Sequence, residues 1–441
     1  MKRRIIPILI SGLLMVGCSE IQPAGEDPVT VEKPGTGADV DPEPAEEPQS
    51  PSIPEDAPPL PQISYFHKTN ENKATLAKLN KASFDISIEV AKQAESVIPN
   101  YKGNYNFSPI SAAMCLGLIA NSLDEPKDAE VAKVFGFDNL NEFNAIITTL
   151  LQYLPSPNGI ELSLANSIWY SDMYTAKDEF RKYMADNFAT SIFRRDFYSA
   201  STVDEINAWA SRNTNDMINH VIDGIPPLYD ILWLNAMYFQ GEWDEKFDPG
   251  LTTDAEFHGV NNNTVKMMRQ ENLMRYSENE TYRMTSIPFA GYGCFMDIIL
   301  PKDANNKDFN TKISYETLQE LLNNGDQAIV DLSMPRLKVD NSIRLSTIFT
   351  NLGFPQFDMT FHKMGLTGKY PVDAILIGQK CAFELDEDGA KLAAITGGMA
   401  TSDGTVPQYK HIEMKIDRPF VYMIRESSTN AIVMMGYISN L

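Results

Sequence analysis

"DEDGAKLAAITGGMATSDGTVP", residues 386–407, lies between two runs that read as strands, "CAFEL" (381–385) and "KHIEMKI" (410–416). It is too long for a hairpin turn and too apolar for an ordinary solvated loop. Its even positions, Ala390, Leu392, Ala394, Thr396, Gly398, Ala400 and Ser402, are small or apolar and uncharged, whereas Lys391 and Asp403 both fall on odd positions. Side chains alternate between the two faces of an extended chain, so this stretch has one face that a sheet could bury. It reads as a strand kept outside its sheet. The same residues also fit a flexible Gly-, Ser- and Thr-containing surface loop, and parity alone leaves both readings open.

Outward from this stretch, the chain of 441 residues is long enough for one large domain or two medium ones. The N-terminus is more specific. "MKRRIIPILISGLLMVGC", residues 1–18, has a basic start, an apolar run of signal-peptide length and small residues before Cys18. The run is short for a transmembrane helix. "MVGC" resembles a bacterial lipobox, which implies a diacylated Cys18 as mature N-terminus and a membrane contact made by lipid alone. A cleaved secretory signal with a chance Cys is the alternative. Residues 19–63 are rich in Pro, Glu and Asp, and contribute about −10 of the formal net charge of −22. They cannot bury enough surface to offset their ordering entropy, so they are expected to form a disordered, self-repelling linker ahead of one domain over 64–441. The rest of the chain is also acidic, which argues against nucleic acid and against electrostatic adhesion to anionic lipid.

From residue 64 onward no repeat or Pro-rich linker marks another boundary. The first half is mostly helical in pattern: Leu76, Leu79, Phe84 and Ile88 recur at helical spacing, and amphipathic runs follow near 110–122, 141–153 and 202–222. The second half is mostly strands, among them "DILWLNAMYFQ", "QAIVDLSMPRLKV", "FVYMIRE" and "NAIVMMGYI". The run 230–239 is apolar on both parities, which predicts a central strand covered on both faces. The expected class is α+β, with a large sheet and helices packed on it.

Catalytic templates are missing. The sequence has no GxSxG elbow, HExxH, P-loop or dinucleotide fingerprint. His67, His220, His258, His362 and His411 stand in unrelated contexts without metal-ligand spacing, so neither a metal nor a cofactor is expected. Cys115, Cys294 and Cys381 sit among apolar neighbours and read as buried inert thiols, although one pair could form a bridge. An enzyme assembled from distant residues would leave no local motif.

Six motifs resemble the serpins, the serine protease inhibitor family, in family order. "NFSPISAAMCLGLIANSL" (106–123) is similar to the opening of the second helix, with Asn106, Ser108, Pro109 and Ser111 in place, and "INAWASRNTNDMI" (206–218) to the helix that lies over the central sheet. "LNAMYFQGEW" (234–243) resembles the third strand of that sheet, with Asn235 and Trp243; "VKMM", "MPRLKV" and "RPFVYMI" follow in order. The resemblance implies a single serpin-like domain with a large central mixed β-sheet, further sheets, about nine helices and an exposed reactive loop.

The opening stretch then resembles the loop with its hinge, through Glu387, Gly389, Ala390, Leu392, Ala393, Ala394 and Thr396. The implied function is protease inhibition by a suicide substrate rather than enzymatic turnover. A target protease is acylated while cutting the loop, the loop inserts into the central sheet, and the attached enzyme is deformed. Asp403 and Gly404 form the reactive bond when counted forward from Glu387, whereas counting back from "DRPF" puts it near Gln408. Ser108, Ser111, Asn235 and Gln379 would lie near the centre of the sheet, and Trp243 where the loop enters. Ser108 before Pro109 also reads as a helix cap. Two departures stand out: Leu392 where inhibitory members usually have Ala, and Gln379 where many have His. They keep open a non-inhibitory binding or structural role on the same fold; a conventional hydrolase is the third alternative. The expected partners are target proteases held covalently by an otherwise monomeric protein, anchored at the outer membrane or cell surface.

Overall fold

A computed structural model describes residues 73–154, 160–354, 360–368, 375–389 and 408–441. The expected signal peptide, lipidated Cys18, acidic linker and the loop from Ala390 to Pro407 lie outside the described residues.

The fold is α+β. Among the described residues there are eight α-helices and three sheets, of five, nine and two strands. The five-stranded sheet carries the site. Its order is Leu337–Arg344, Ile375–Leu385, Ile231–Gly241, Ile160–Ser171 and Thr190–Arg195. It is mixed: Ile375–Leu385 runs parallel to Ile231–Gly241, and Ile160–Ser171 parallel to Thr190–Arg195, while the other two pairings are antiparallel. The expected central strand is Ile231–Gly241, buried at every position but Gln240. Its unbroken apolar run follows from being covered twice.

One cover is the helix Pro109–Ser122, buried along its whole length. Ser108 caps it by accepting from the Ser111 N–H, and Pro109 occupies the first turn, where its missing N–H costs nothing. The other cover is the helix Ala200–Asn213. Its Ile206, Trp209 and Ala210 pack with Ile218 and Ile222 on Ala165, Leu232, Leu234, Ala236 and Ala382 of the sheet. The 202–222 run is therefore not helical throughout, as its periodicity predicts. Thr214 turns its hydroxyl back to the Ala210 carbonyl and takes the Ile218 N–H, and Asn215 and Asp216 adopt left-handed conformations that end the helix. The apolar residues beyond it still reach the sheet, from irregular chain.

The nine-stranded sheet holds the C-terminal strands Phe420–Glu426 and Ile432–Ile438, both fully buried, between Tyr105–Phe107 and Cys294–Pro301. "TSIPFAGYGCFMDIILP" becomes an antiparallel pair, Tyr282–Pro288 with Cys294–Pro301, turning through Gly291 at φ 74°. Cys115, Cys294 and Cys381 are free and buried, and burial pushes each thiol up to about 12.

Candidate functional site

Strands Ile231–Gly241 and Ile375–Leu385 are direct neighbours, in parallel register from Ile231 opposite Ile375 to Tyr238 opposite Ala382. Above that pair they part. Phe239 to Gly241 and Phe383 to Leu385 are not paired with each other, and a notch of about 80 Å³ opens there between Tyr238, Phe239, Gln240 and Glu384, with Met217 and Gly389 on its walls.

The chain from Ile375–Leu385 ends in a tight turn at the top of this gap. Asp386 and Gly389 exchange both backbone hydrogen bonds, N–H to carbonyl, at 3.1 and 3.2 Å, and the Asp386 carboxylate accepts from the Asp388 N–H at 3.0 Å. Gly389 has φ +99°, and a Cβ there would stand 2.5 Å from the Gly241 carbonyl oxygen and 2.6 Å from the Trp243 nitrogen. Only glycine fits both demands. Trp243 anchors the turn: its indole N–H donates to the Asp386 carbonyl at 3.1 Å and its backbone N–H to the Asp388 carbonyl at 3.2 Å. The indole is itself held by stacking on Phe289, centroids 4.7 Å apart and planes 9° apart.

Glu387 is the charged residue of the turn that is buried, at 5% exposure. Its carboxylate accepts from Arg336 Nε and Nη2 at 2.7–3.1 Å and from the Thr252 hydroxyl at 2.5 Å, while the Phe247 N–H donates to its carbonyl at 3.0 Å. Burial pushes the carboxyl up, but the Arg336 guanidinium and the Thr252 hydroxyl outweigh it and hold Glu387 below its ordinary value. Asp386 goes the other way: burial, with Asp388 and Glu387 close by, raises it. Asp388 remains exposed and pairs with Lys246 at 3.2 Å.

Deeper in the sheet a second set of polar groups lies beneath the paired strands. Gln379 bridges to the helix cap in both directions: its side-chain oxygen accepts from the Ser108 N–H and its amide donates to the Ser108 carbonyl, each at 2.9 Å. The Ser108 hydroxyl donates to the Val433 carbonyl at 2.7 Å, and the Cys381 thiol lies 3.2 Å from the Gln379 oxygen. Capping and bridging are thus done by the same serine. Asn166, Asn235 and Gln379 occupy one cross-strand row, and residues opposite one another share a face. The Asn235 amide donates to Asn166 Oδ1 at 3.0 Å and to the Ala165 carbonyl at 3.2 Å. Among the described residues Asn235 Oδ1 and the Ser111 hydroxyl are buried without a hydrogen-bond partner.

The expected site residues therefore fall into two groups: Glu387, Gly389 and Trp243 at the top, Ser108, Ser111, Asn235 and Gln379 below. Ala390, Leu392, Ala393, Ala394, Thr396, Asp403 and Gly404 lie outside the described residues, as does Cys18. The sequence reading did not anticipate Arg336 and Thr252 as partners of Glu387, nor Asn341, which accepts from the Asn106 N–H at 2.8 Å and donates to the Asn106 carbonyl at 3.0 Å. Arg336 was visible within "MPRLKV", but nothing local joins it to a carboxylate 51 residues on.

The comparisons with known proteins agree with this architecture. The profile of the Serpin (serine protease inhibitor) family matches residues 79–441. An uncharacterized serpin-like protein of Methanosarcina mazei is 29% identical over 377 residues, 82% of this chain and 87% of its own length. Leukocyte elastase inhibitor A of Mus musculus is 26% identical, over 82% of this chain and 99% of its own length. In structure, the thermophilic serpin tengpin in its native state superposes with a TM-score of 0.74 at 25% identity, covering 86% of this chain and 96% of its own. Human thyroxine-binding globulin, in complex with its hormone, shares the fold with a TM-score of 0.72 at 21% identity, over 83% and 99%. This chain belongs to the serpin family, whose members are generally protease inhibitors rather than enzymes.

Proposed function

We propose that this protein inhibits serine proteases as a suicide substrate. The observation that carries the reading is the pair of parallel strands Ile231–Gly241 and Ile375–Leu385, registered up to Tyr238 and Ala382 and open above them, with the chain leaving that gap at Gly389 toward a stretch whose even face is uncharged. A strand entering there must be apolar on its buried face. The protease attacks the loop carbonyl, expels the C-terminal fragment as an amine and is held as an acyl ester on the N-terminal one. Insertion of that fragment between the two strands then carries the enzyme away before water completes hydrolysis. Asp403–Gly404 is the bond proposed to be cut, because the forward count fixes the length of strand to be inserted. Glu387 and Gly389 form the pivot, and the groups under Asn235 and Gln379 part as the strands do.

Incubation with a panel of serine proteases, followed by denaturing gel electrophoresis, tests this. A band that carries both proteins supports it; cleavage between Met399 and Gln408 without such a band supports a non-inhibitory role, the reading that Leu392 and the long loop favour. The same proposal places the protein at a bacterial outer membrane or cell surface, tethered through acylated Cys18 and the acidic linker, as a monomer guarding against proteases from outside.

A further inference from the structure

The three strands Asn262–Glu278, Asp326–Pro335 and Lys410–Lys415 form the sheet face to which the chain returns after the loop. Their register sets Leu273, Ile329 and His411 in one row, Glu271, Asp331 and Glu413 in the next on the same face, and Arg269, Ser333 and Lys415 beyond them. The opposite face is core: Met274, Ala328, Val330, Leu332 and Met414 are buried. On the outer face Leu273 is 40% exposed and Tyr409, just ahead of the third strand, 36%. Single exposed apolar residues are ordinary. Here they adjoin a row of carboxylates. Arg269 is committed to Asp331 through Nε and Nη2 at 2.8 and 2.6 Å, and Lys415 faces Asp417 at 3.4 Å. Glu271 and Glu413 are exposed and make no ion pair of their own among the described residues.

We infer that this face is a docking surface for the protease that attacks the loop: Leu273, Ile329 and Tyr409 meet an apolar patch beside its cleft, and Glu271 and Glu413 meet basic side chains. The inference rests on the inhibitory reading. Position favours it, because the strand Lys410–Lys415 begins where the loop ends. Charge selects the occupant: a second copy would set the same two carboxylates against each other, whereas a protease with a basic rim is drawn in by them.

The test compares Glu271→Arg/Glu413→Arg and Leu273→Ser with wild type and with Asp138→Arg/Glu179→Arg, a remote reversal of equal charge. The probes are basic and acidic serine proteases, each inactivated at its nucleophile, so binding is read whether or not trapping occurs. For basic proteases the reversed pair should associate about tenfold more slowly at low salt, with the gap closing at high salt. Leu273→Ser should dissociate several-fold faster, the remote pair should match wild type, and all should melt alike. The inference fails if the reversed pair associates as fast as the remote pair, if wild type binds none of the proteases, or if wild type is a dimer that the reversal dissociates. Absence of a covalent complex with the active proteases, beside an intact charge effect, would instead sink the inhibitory reading and leave the surface standing.

Discussion

Arg336→Ala should weaken the native state much more than Glu387→Gln, although the two changes remove the same ion pair. Glu387 is 5% exposed, whereas the Arg336 side chain is 48% exposed. Losing one partner of a fully buried pair costs about 3–5 kcal/mol, and breaking an exposed pair about 0–1 kcal/mol. With one partner on each side of that divide, Arg336→Ala should cost about 1–3 kcal/mol, because it strands a buried carboxylate on Thr252 alone. Glu387→Gln leaves only an exposed guanidinium unpaired, and should cost about 1 kcal/mol or less. The pH dependence is a second handle. Glu387 titrates below its ordinary value when folded and returns to about 4.3 when unfolded. Its contribution is therefore complete above about pH 4.3 and is lost as pH falls through the folded value. The difference between wild type and Arg336→Ala should be full at pH 7 and should close below about pH 4.3. Thermal midpoints at one scan rate would register it, at about 1–2 °C per kcal/mol for a chain of this length. An Arg336→Ala midpoint within half a degree of wild type at pH 7, or a gap that persists unchanged at pH 3.5, would refute the clamp.

Four further outcomes are expected. Gly389→Ala meets the Gly241 carbonyl and the Trp243 nitrogen at a left-handed position, so it should cost about 2 kcal/mol or more in the native state; a midpoint equal to wild type would show that the turn is not held as described. Ala394→Glu should leave the intact fold unchanged but convert the inhibitor into a substrate, read as a steep rise in the stoichiometry of inhibition; an unchanged stoichiometry contradicts insertion. A single cut between Met399 and Gln408, verified by mass spectrometry, should raise the thermal midpoint instead of lowering it as a nick normally does. Cys18→Ala should abolish labelling by a clickable fatty acid and release the protein from membranes; label retained by the variant removes the lipid anchor.

What was legible in the sequence was whatever depends on neighbours within a few residues. The double-sided apolar run of Ile231–Gly241 announced a central strand, and Ser108–Pro109 announced a helix start that also bonds Gln379. The end of the helix at Asn213 was missed because periodicity continues to Ile222, although "TND" already held the side chain that bonds back and the residues that tolerate left-handed backbone. The family resemblance named Glu387 as a hinge residue but gave no reason for its charge. That reason lies in Arg336 and Thr252, brought to it by the fold from 51 and 135 residues away. Long-range polar pairs leave no local pattern to read.

The closed seam also bears on why insertion would proceed at all. Parting Ile231–Gly241 from Ile375–Leu385 breaks one parallel ladder, and an entering strand forms two, one with each neighbour. At about 0.5–1.5 kcal/mol net per hydrogen bond the gain is real, yet ordering each residue of the loop costs about 1–2 kcal/mol, which cancels most of it. Backbone pairing alone cannot set the sign. Two other terms can. Asn235 Oδ1, the Ser111 hydroxyl and the Trp233 indole N–H are buried without partners among the described residues while the sheet is closed, and each such group costs about 1–3 kcal/mol. The closed state is therefore raised beneath the strands that must separate. The other term is the even face of the loop, where Leu392 contributes about 1.5–3 kcal/mol if its site accepts the full side chain, and costs about 1–3 kcal/mol if that site is sized for alanine. The same residue that marks the chain's departure from the inhibitory pattern thus decides, by fit alone, whether it hastens the trap or stalls it.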